Sequence, residues 1–419
     1  MASKRVARTV AVGVSLLSLA AAPALAQAPV PGLCLDGTLP SGALSKVCVP
    51  ASGWNGSVVV FAHGYIAFNE PIDFYHLSLP DGTNLPNLVQ QLGFAFATTS
   101  YRQNGLAILE GSLDILELVD AFTAVAGSPQ YTFLTGVSEG GVIAALLAER
   151  APNRFTKVLS TCGPIGSFRG QVTYVGDFRL LFDAYFPGIL HGSPIAIPDD
   201  VIANWDAYYE GVIKPVVFAT ANQARTRELI KAAFVPADPA NFWPTAEKSI
   251  RDGLWYNVFG TNDIIQKLGG QPFDNTQRYY FGTSNDFLLN VLVNRLQADA
   301  PALAEMRAHY DTTGRLSRPL VTLQTSLDQQ VPVWHQDVYT LKAIAAGSLS
   351  QLIPLRVNRY GHCNFTAAEV LVSFALMVLK AEGYFDTARM EKAITAPRTR
   401  MEFQRLARQY RLPRKLARR

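Results

Sequence analysis

The chain contains the segment Tyr131-Thr-Phe-Leu-Thr-Gly-Val-Ser-Glu-Gly-Gly141, which runs directly into Val142-Ile-Ala-Ala-Leu-Leu-Ala-Glu-Arg150. A β-branched and aromatic run ends at Gly136, Ser138 follows between glycines, and an Ala- and Leu-rich segment begins at once. This pattern predicts a strand, a sharp turn and a helix. In such a turn a side chain at Gly136 or Gly140 would collide with the neighbouring strand or helix. The Gly-x-Ser-x-Gly spacing is that of a nucleophile elbow, which holds its serine in a strained conformation.

The composition predicts a globular protein with a large core, because 49% of the 419 residues are hydrophobic and 17% are charged. Residues 1–26 differ from the rest. Lys4, Arg5 and Arg8 precede an apolar run over residues 9–22 that is shorter than the ~20 residues of a membrane span. Small residues end this segment at Ala26, so we expect a signal peptide cleaved after Ala26 and a secreted or periplasmic protein.

The C-terminal region is basic, although the net charge of the whole chain is only +4. Residues 392–419 contain ten Lys or Arg side chains and a single acid, Glu402. This tail could contact an anionic surface. We favour a solvated terminal helix that packs one face on the body through Met401, Phe403, Leu406 and Tyr410. Because the basic residues lack interleaved aromatic platforms, we expect no nucleic-acid partner.

Four cysteines in a secreted chain predict two disulfides, and three pairings are possible among Cys34, Cys48, Cys162 and Cys363. We favour Cys34 with Cys48, because turn-forming residues between them would fold two short strands together. The remaining pair would join Cys162 to Cys363.

Strand and helix patterns alternate through most of the chain, which predicts an α/β fold with a mostly parallel, doubly wound sheet. Predicted strands are the hairpin region 31–50 and residues 57–62, 93–99, 131–137, 154–160, 319–324 and 351–357; predicted helices are 85–92, 110–125 and 142–150. Between residues 165 and 317 the alternation stops, and helical patterns cover residues 200–213, 221–233 and 286–298.

This break predicts a large, mainly helical insertion that caps the ligand-binding edge of the sheet. The expected organisation is a signal peptide (1–26), an α/β core (27–164 and 318–391), a helical cap (165–317) and a basic tail (392–419).

A nucleophilic serine requires a base, and the base requires a group that orients it. Asp328 and His362 each follow a predicted strand directly, so both side chains should lie at the same sheet edge as Ser138. His335 and Asp337, which fall in the next predicted helix, are the rival base and acid.

The order serine, aspartate, histidine, each after its own strand, resembles the α/β-hydrolase superfamily over nearly all of the mature chain. The matching motifs are His63-Gly64, Gly136-Val-Ser-Glu-Gly140, Asp328 with Val331-Pro332, and Gly361-His362. The resemblance implies an α/β-hydrolase fold and a serine hydrolase that cleaves carboxylic esters through an acyl-enzyme. It assigns Ser138 as nucleophile, His362 as general acid and base, and Asp328 as the group that holds the imidazole.

The resemblance also implies an oxyanion hole formed by the backbone N–H groups of Glu139 and Tyr65, with Ile66 as the alternative to Tyr65. His63 is expected to brace the loop beneath this hole. Tannases and fungal-type feruloyl esterases are similar in linking the histidine loop through an adjacent cysteine, but they pair it with the residue before the serine. That residue is Val137 here, so we expect Cys162 to be the partner that ties this loop to the sheet edge.

Two other function classes remain open. An exopeptidase or amidase would use the same triad, with Asp206 or Glu210 of the cap as an amine binder, and a hydrolase-like binding protein would have lost catalysis. His76, His191 and His309 have no ligand-spaced companions, so we expect no metal, and no cofactor fingerprint is present.

The expected partner is a small ester or a peptide-like substrate, while the sequence leaves the oligomeric state open. Aromatic residues of the insertion are candidates for lining an acyl or aryl pocket: Trp205, Tyr208, Tyr209, Phe242, Trp243, Trp255, Tyr256, Tyr279, Tyr280 and Phe281.

Overall fold

The structure is a computed structural model that describes residues 29–383 and 385–413, so the expected signal peptide lies outside the described residues. Eight strands of this part form one sheet: β1 (Cys34–Thr38), β2 (Leu44–Cys48), β3 (Val58–Ala62), β4 (Ala95–Thr99), β5 (Thr132–Val137), β6 (Lys157–Thr161), β7 (Leu320–Leu327) and β8 (Leu352–Tyr360). Their spatial order is β1-β2-β4-β3-β5-β6-β7-β8. The pairs β1–β2 and β2–β4 are antiparallel, and all other neighbours are parallel.

The inner strands β3 and β4 are buried over their whole length because both faces of the sheet are covered. All five residues of β3 and all five of β4 are buried, as expected for a parallel sheet with helices on both sides. This strand order, with a serine turn at the end of β5, defines an α/β-hydrolase fold. The fold class expected from the sequence is therefore confirmed.

Fifteen α-helices lie within the described residues: α1 (Leu85–Gln91), α2 (Ile108–Ala126), α3 (Glu139–Arg150), α4 (Phe168–Tyr185), α5 (Asp199–Ala203), α6 (Trp205–Tyr208), α7 (Lys214–Val217), α8 (Gln223–Ala232), α9 (Phe242–Leu268), α10 (Asp286–Leu292), α11 (Ala300–His309), α12 (Trp334–Ala345), α13 (Ala367–Glu382), α14 (Thr387–Ala393) and α15 (Pro397–Gln409). In the same ranges, none of these helices combines the length and apolarity that a bilayer span requires.

Helices α4 to α11 form the insertion between β6 and β7, and they enclose an apolar core of their own. Its centre is α9, a helix of 27 residues that the sequence patterns did not predict. The predicted helix 200–213 is instead broken into α5, α6 and a π-helical turn, Tyr209–Ile213. The predicted helix 286–298 ends early, at Leu292. Packing within the insertion, rather than a clean polar and apolar alternation, decides these boundaries.

The expected basic tail is for the most part an integrated helix. Helix α15 packs on α13, and it buries Phe403 and Leu406 in the same apolar cluster as the core. The two other residues expected on this face are outside it: Met401 is 65% exposed and Tyr410 is 37% exposed. Leu412, beyond this helix, is buried as well. The basic residues 414–419 lie outside the described residues.

The glycines at the serine turn allow a backbone approach that no other residue permits. A Cβ atom on Gly140 would lie 2.1 Å from the carbonyl oxygen of Ala62, and one on Gly136 would lie 1.9 Å from that of Gly140. Both contacts are with backbone and not with a movable side chain.

We therefore predict that Gly140→Ala lowers the free energy of unfolding by at least ~3 kcal/mol, because β3 and α3 must separate. Gly211→Ala is the matched control, since nothing lies within 4 Å of the added carbon, and it should change stability by no more than ~1 kcal/mol. Urea denaturation of both variants measures the difference. Equal stability of the two variants would contradict the close approach.

Candidate active site

Ser138 lies between β5 and α3 with φ 56° and ψ −118°, a backbone conformation that L-residues rarely adopt. Its N–H donates to the carbonyl of Thr161 on β6 at 2.9 Å. This hydrogen bond and the glycine contacts hold the turn, so that the hydroxyl is presented at the carboxyl edge of the sheet.

The structure brings Ser138, Asp328 and His362 together, although 224 positions separate the serine from the histidine. The Ser138 hydroxyl lies 2.9 Å from His362 Nε2. His362 Nδ1 lies 2.8 Å from Oδ2 and 3.0 Å from Oδ1 of Asp328. A carboxylate only accepts, so Nδ1 carries the proton and Nε2 is free to accept from the serine.

Asp328 is fully buried, and its charge is balanced by donors rather than by water. Besides His362, the backbone N–H groups of Gln330 and Val331 donate to its Oδ1 at 3.0 and 2.8 Å, and the amide of Gln324 donates to Oδ2 at 3.2 Å. These fixed donors hold the carboxylate in one orientation, which in turn fixes the imidazole ring.

The rival residues lie elsewhere. His335 is buried, and its ring accepts from the N–H of Gly166 and contacts the amide oxygen of Gln171 at 2.8 Å. Asp337 is exposed and pairs with Arg356. Both residues have structural partners and no contact with Ser138, so the structure favours Asp328 and His362.

His63 occupies a position under the turn that follows β3. Its ring stacks on Tyr101 at 4.0 Å, and its Nδ1 and Nε2 lie 2.7 and 3.1 Å from the carbonyl oxygens of Gly64 and Ser100, to one of which the neutral ring donates. Burial lowers the pKa of His63 to about 4, so the ring is neutral at pH 7. This geometry supports the bracing role expected for His63.

The expected oxyanion donors belong to residues that lie beside the serine. Tyr65 and Glu139 both line the cavity that contains Ser138, and Ile66 is not among its lining residues. The Tyr65 hydroxyl donates to the carbonyl of Phe259 on α9 at 3.1 Å, which ties the loop after β3 to the cap.

The side chain of Glu139 is a feature that sequence reasoning missed. Its carboxyl group is buried at the start of α3, and Oε1 accepts from the N–H of Ala107 at 2.9 Å. Burial raises the pKa of Glu139 to about 8, so this carboxyl is mostly protonated at pH 7. Only the tertiary structure reveals the burial, since a residue at a helix start is usually at the surface.

The cavity beside Ser138 has a volume of about 140 Å³. The cap supplies most of its apolar wall, which includes Phe168, Val172, Val175, Pro194, Ile195, Ile264, Ile265, Pro272 and Phe273. Of the ten aromatic candidates only Tyr256 lines this cavity. Most of the others pack inside the cap or lie at its surface; Tyr209 is fully buried and Tyr279 is 63% exposed.

The cap also holds the loop that carries Asp328. The Tyr174 hydroxyl donates to the carbonyl of Gln329 at 2.8 Å, and the Gln171 amide donates to that of Gln330 at 2.8 Å. The amide of Gln330 donates to Asp252 of α9 at 2.9 Å. Helices α4 and α9 therefore fix the acid loop from above.

Both expected disulfides are present in the structure, Cys34–Cys48 and Cys162–Cys363. The second joins the end of β6 to the residue after His362, and Cys363 Sγ lies 3.3 Å from His362 Nε2. Cys162 and Cys363 both have positive φ, 45° and 49°. Cys162, His362 and Cys363 have the spacing of a metal site, but the bonded sulfurs are not thiolates and are poor ligands.

The structure thus combines an α/β-hydrolase fold with a hydrogen-bonded serine, histidine and aspartate at one edge of the sheet. No family model matches the sequence, and no curated protein matches it. Solved structures with a similar fold include acylaminoacyl peptidase from Pyrococcus horikoshii, at 13% identity and TM-score 0.42 over 87% of this chain and 44% of that one. This chain thus spans less than half the length of that peptidase.

Two esterase structures are also similar. A ligand-bound form of the rice cell wall degrading esterase LipA from Xanthomonas oryzae has 13% identity and TM-score 0.40 over 83% of this chain and 88% of that one. An esterase from Pyrobaculum calidifontis has 15% identity and TM-score 0.42 over 85% and 86% of the two chains. Similarity at this level carries no information about the substrate.

We predict that removing the Cys162–Cys363 bridge costs more activity than removing the other one. The double variant Cys162→Ala/Cys363→Ala should lose at least ~10-fold in kcat, because small displacements of a catalytic group are costly. The control Cys34→Ala/Cys48→Ala should lose stability, on the order of 3 kcal/mol, and keep its kcat. Kinetics at a temperature where both variants are folded give the comparison, and equal kcat values would contradict the clamp.

We also predict that Glu139 makes stability depend on pH. Its pKa rises from 4.5 in the unfolded chain to about 8, so the folded state holds this proton more tightly. The resulting stabilisation is present below pH 4.5 and is lost as the pH rises towards 8. Melting temperatures from pH 5 to 9 should fall more steeply for the wild type than for Glu139→Gln. Parallel curves would mean that this carboxyl titrates normally.

Proposed function

We propose that this protein is a serine hydrolase that cleaves carboxylic esters through an acyl-enzyme intermediate. The observation that carries the proposal is the hydrogen-bonded chain from Ser138 through His362 to Asp328. Ser138 Oγ lies 2.9 Å from His362 Nε2, and His362 Nδ1 lies 2.8 Å from Oδ2 of Asp328. A serine held in this way transfers its proton to the imidazole as it attacks a carbonyl carbon.

The proposed reaction has two halves. Ser138 Oγ attacks the ester carbonyl, His362 Nε2 takes the serine proton, and the N–H groups of Glu139 and Tyr65 stabilise the oxyanion. His362 then returns the proton to the departing alkoxide, which leaves as the alcohol. In the second half a water molecule, activated by the same imidazole, releases the acid from Ser138.

The cavity beside Ser138 supports an apolar acyl group. Its polar side chains are already engaged with protein groups: Asn257 accepts from Arg179 at 3.0 Å and donates to the carbonyl of Pro194 at 3.0 Å. The Tyr256 hydroxyl donates to the side chain of Gln330 at 3.1 Å. An acyl chain in this cavity would therefore contact mainly hydrocarbon. Its burial would contribute ~25 cal/mol of binding free energy per Å² of apolar area removed from water.

An ester is a better candidate than a peptide with a free amino terminus. Asp206 and Glu210, the candidate amine binders, do not line the cavity, and both pair with Arg251 at the cap surface. Glu139 does line it, but its raised pKa keeps it mostly neutral at pH 7, so it is a weak partner for an ammonium group.

Secretion or periplasmic export is part of the proposal. It is supported by the signal-like composition of residues 1–26 and by two disulfides, which persist in oxidising compartments.

Ser138→Ala should fold with wild-type stability and lose at least ~10³-fold in kcat on short-chain esters, because the nucleophile is gone. Labelling with a fluorophosphonate, followed by peptide mapping, should place the adduct on Ser138 in the wild type. His335→Ala is the matched control and should keep the labelling. Activity that persists in Ser138→Ala would refute the assignment. Failure of the wild type to label or to hydrolyse any ester would favour the binding-protein alternative.

A further inference from the structure

A second apolar groove opens on the face of the sheet opposite α2 and α3. We name it the α1–α13 groove, since α1 and α13 form its outer wall, and its volume is about 270 Å³. The floor consists of side chains from β3, β5 and β6 that point to one face of the sheet. The lining residues Leu159 and Thr161 of β6 are two positions apart, so the groove extends at least ~7 Å along this strand. The groove is thus deep enough for several carbon atoms.

The sheet floor of the groove is apolar even where the sequence has hydroxyl groups. Thr135 and Thr161 line the groove, but their hydroxyls donate to the carbonyls of Val60 and Gly136 at 3.3 and 3.0 Å. Both side chains therefore need no further partner and offer methyl groups to a ligand. At the inner end Val59, Leu88 and Leu159 are each 2% exposed, so a group that reached them would be out of water.

The outer end of the groove is lined by chain neighbours of the proposed catalytic residues, although Ser138 and His362 themselves do not line it. Gly136 and Val137, which directly precede Ser138, line it on one side, and Cys363, which directly follows His362, lines it on the other. His76 stands at the same end. A Cβ atom built on Gly64 would lie 3.1 Å from Cβ of Ser138 and 3.6 Å from Cε1 of His76, so the serine and His76 flank one point.

The two cavities therefore lie on different sides of the serine. The cavity under the cap is lined by Glu139 and Tyr65, the proposed oxyanion donors. The α1–α13 groove is lined by Cys363, which follows His362, the proposed proton donor. In ester cleavage the leaving oxygen must face the imidazole that protonates it, while the acyl group stays on the serine.

We propose that the α1–α13 groove binds the alcohol part of the ester, and that this part is an alkyl group of several carbons. This inference rests on the proposed esterase function. The C–O bond between the carbonyl carbon and the alcohol oxygen breaks, the alkoxide receives the proton from His362 Nε2, and the free alcohol leaves along the groove. The acyl group remains bonded to Ser138 Oγ under the cap.

Two ester series test the assignment. One series keeps acetate and lengthens the alcohol from methanol to butanol and hexanol, and the other keeps methanol and lengthens the acid in the same steps. In the wild type, kcat/KM should rise with alcohol length by up to ~4-fold per methylene, as expected for transfer of a CH₂ group out of water.

Variants then separate the two cavities. Leu85→Trp and Val370→Trp fill the groove from α1 and α13, at positions that are only partly buried. Each should lower the ratio of kcat/KM for hexyl acetate to that for methyl acetate by at least ~10-fold. Gln91→Trp, on the exposed side of α1, should leave both series as in the wild type. Val175→Trp in the cavity under the cap should change the acid series instead.

The outcomes are distinguishable. The inference is wrong if esters are hydrolysed but the rate does not rise with alcohol length. It is also wrong if Leu85→Trp and Val370→Trp alter only the acid series, because the groove then does not bind the alcohol. If no ester is hydrolysed and Ser138 does not react with a fluorophosphonate, the proposed function fails and takes this inference with it. A ratio that falls in both groove variants but not in Gln91→Trp supports the assignment.

Discussion

The site depends on one backbone contact, the approach of the first turn of α3 to the ends of β3 and β5. Gly140 meets the carbonyl of Ala62, and Gly136 meets that of Gly140, at distances that exclude any Cβ atom. This contact forces Ser138 into its unusual φ and ψ. The turn raises the hydroxyl above the sheet, where residues from two distant loops reach it. A wider turn would lower the serine into the sheet and away from the imidazole.

Two further independent restraints meet at this serine. The loop of His362 is covalently joined to the end of β6 by the Cys162–Cys363 disulfide. The loop of Asp328 is held by hydrogen bonds from the cap helices α4 and α9. Each restraint comes from a different part of the chain, so the arrangement is preorganised rather than assembled by the substrate. The cap consequently has a second role beyond covering the cavity, since it also supports the acid loop.

Burial keeps two ionisable groups near the serine, His63 and Glu139, mostly neutral at pH 7. The pKa of His63 is lowered to about 4 and that of Glu139 is raised to about 8, in both cases because burial disfavours the charged form. A neutral and apolar surround suits an uncharged ester. It also strengthens the electrostatic effect of the backbone donors at the oxyanion position, because little water screens them.

The sequence by itself determined the elbow, the class of fold and the order of the catalytic candidates, because each rests on local pattern. A strand that ends in Gly-x-Ser-x-Gly and acidic and histidine residues that directly follow later strands are readable without tertiary information. The two cysteine pairings were also favoured correctly. The helices of the cap were predicted less well: α9 was missed and the segment 200–213 proved to be broken, because burial on several sides hides the helical period.

Only the tertiary structure decided which surfaces face the serine. The burial of Glu139, the absence of Asp206 and Glu210 from the cavity lining, and the integration of α15 into the core all depend on contacts between residues far apart in the chain. The same is true of the two apolar spaces on either side of Ser138. A side chain's type is written in the sequence, but its solvent exposure and its neighbours arise only when helices and sheet pack together, and these set its pKa and its access to substrate.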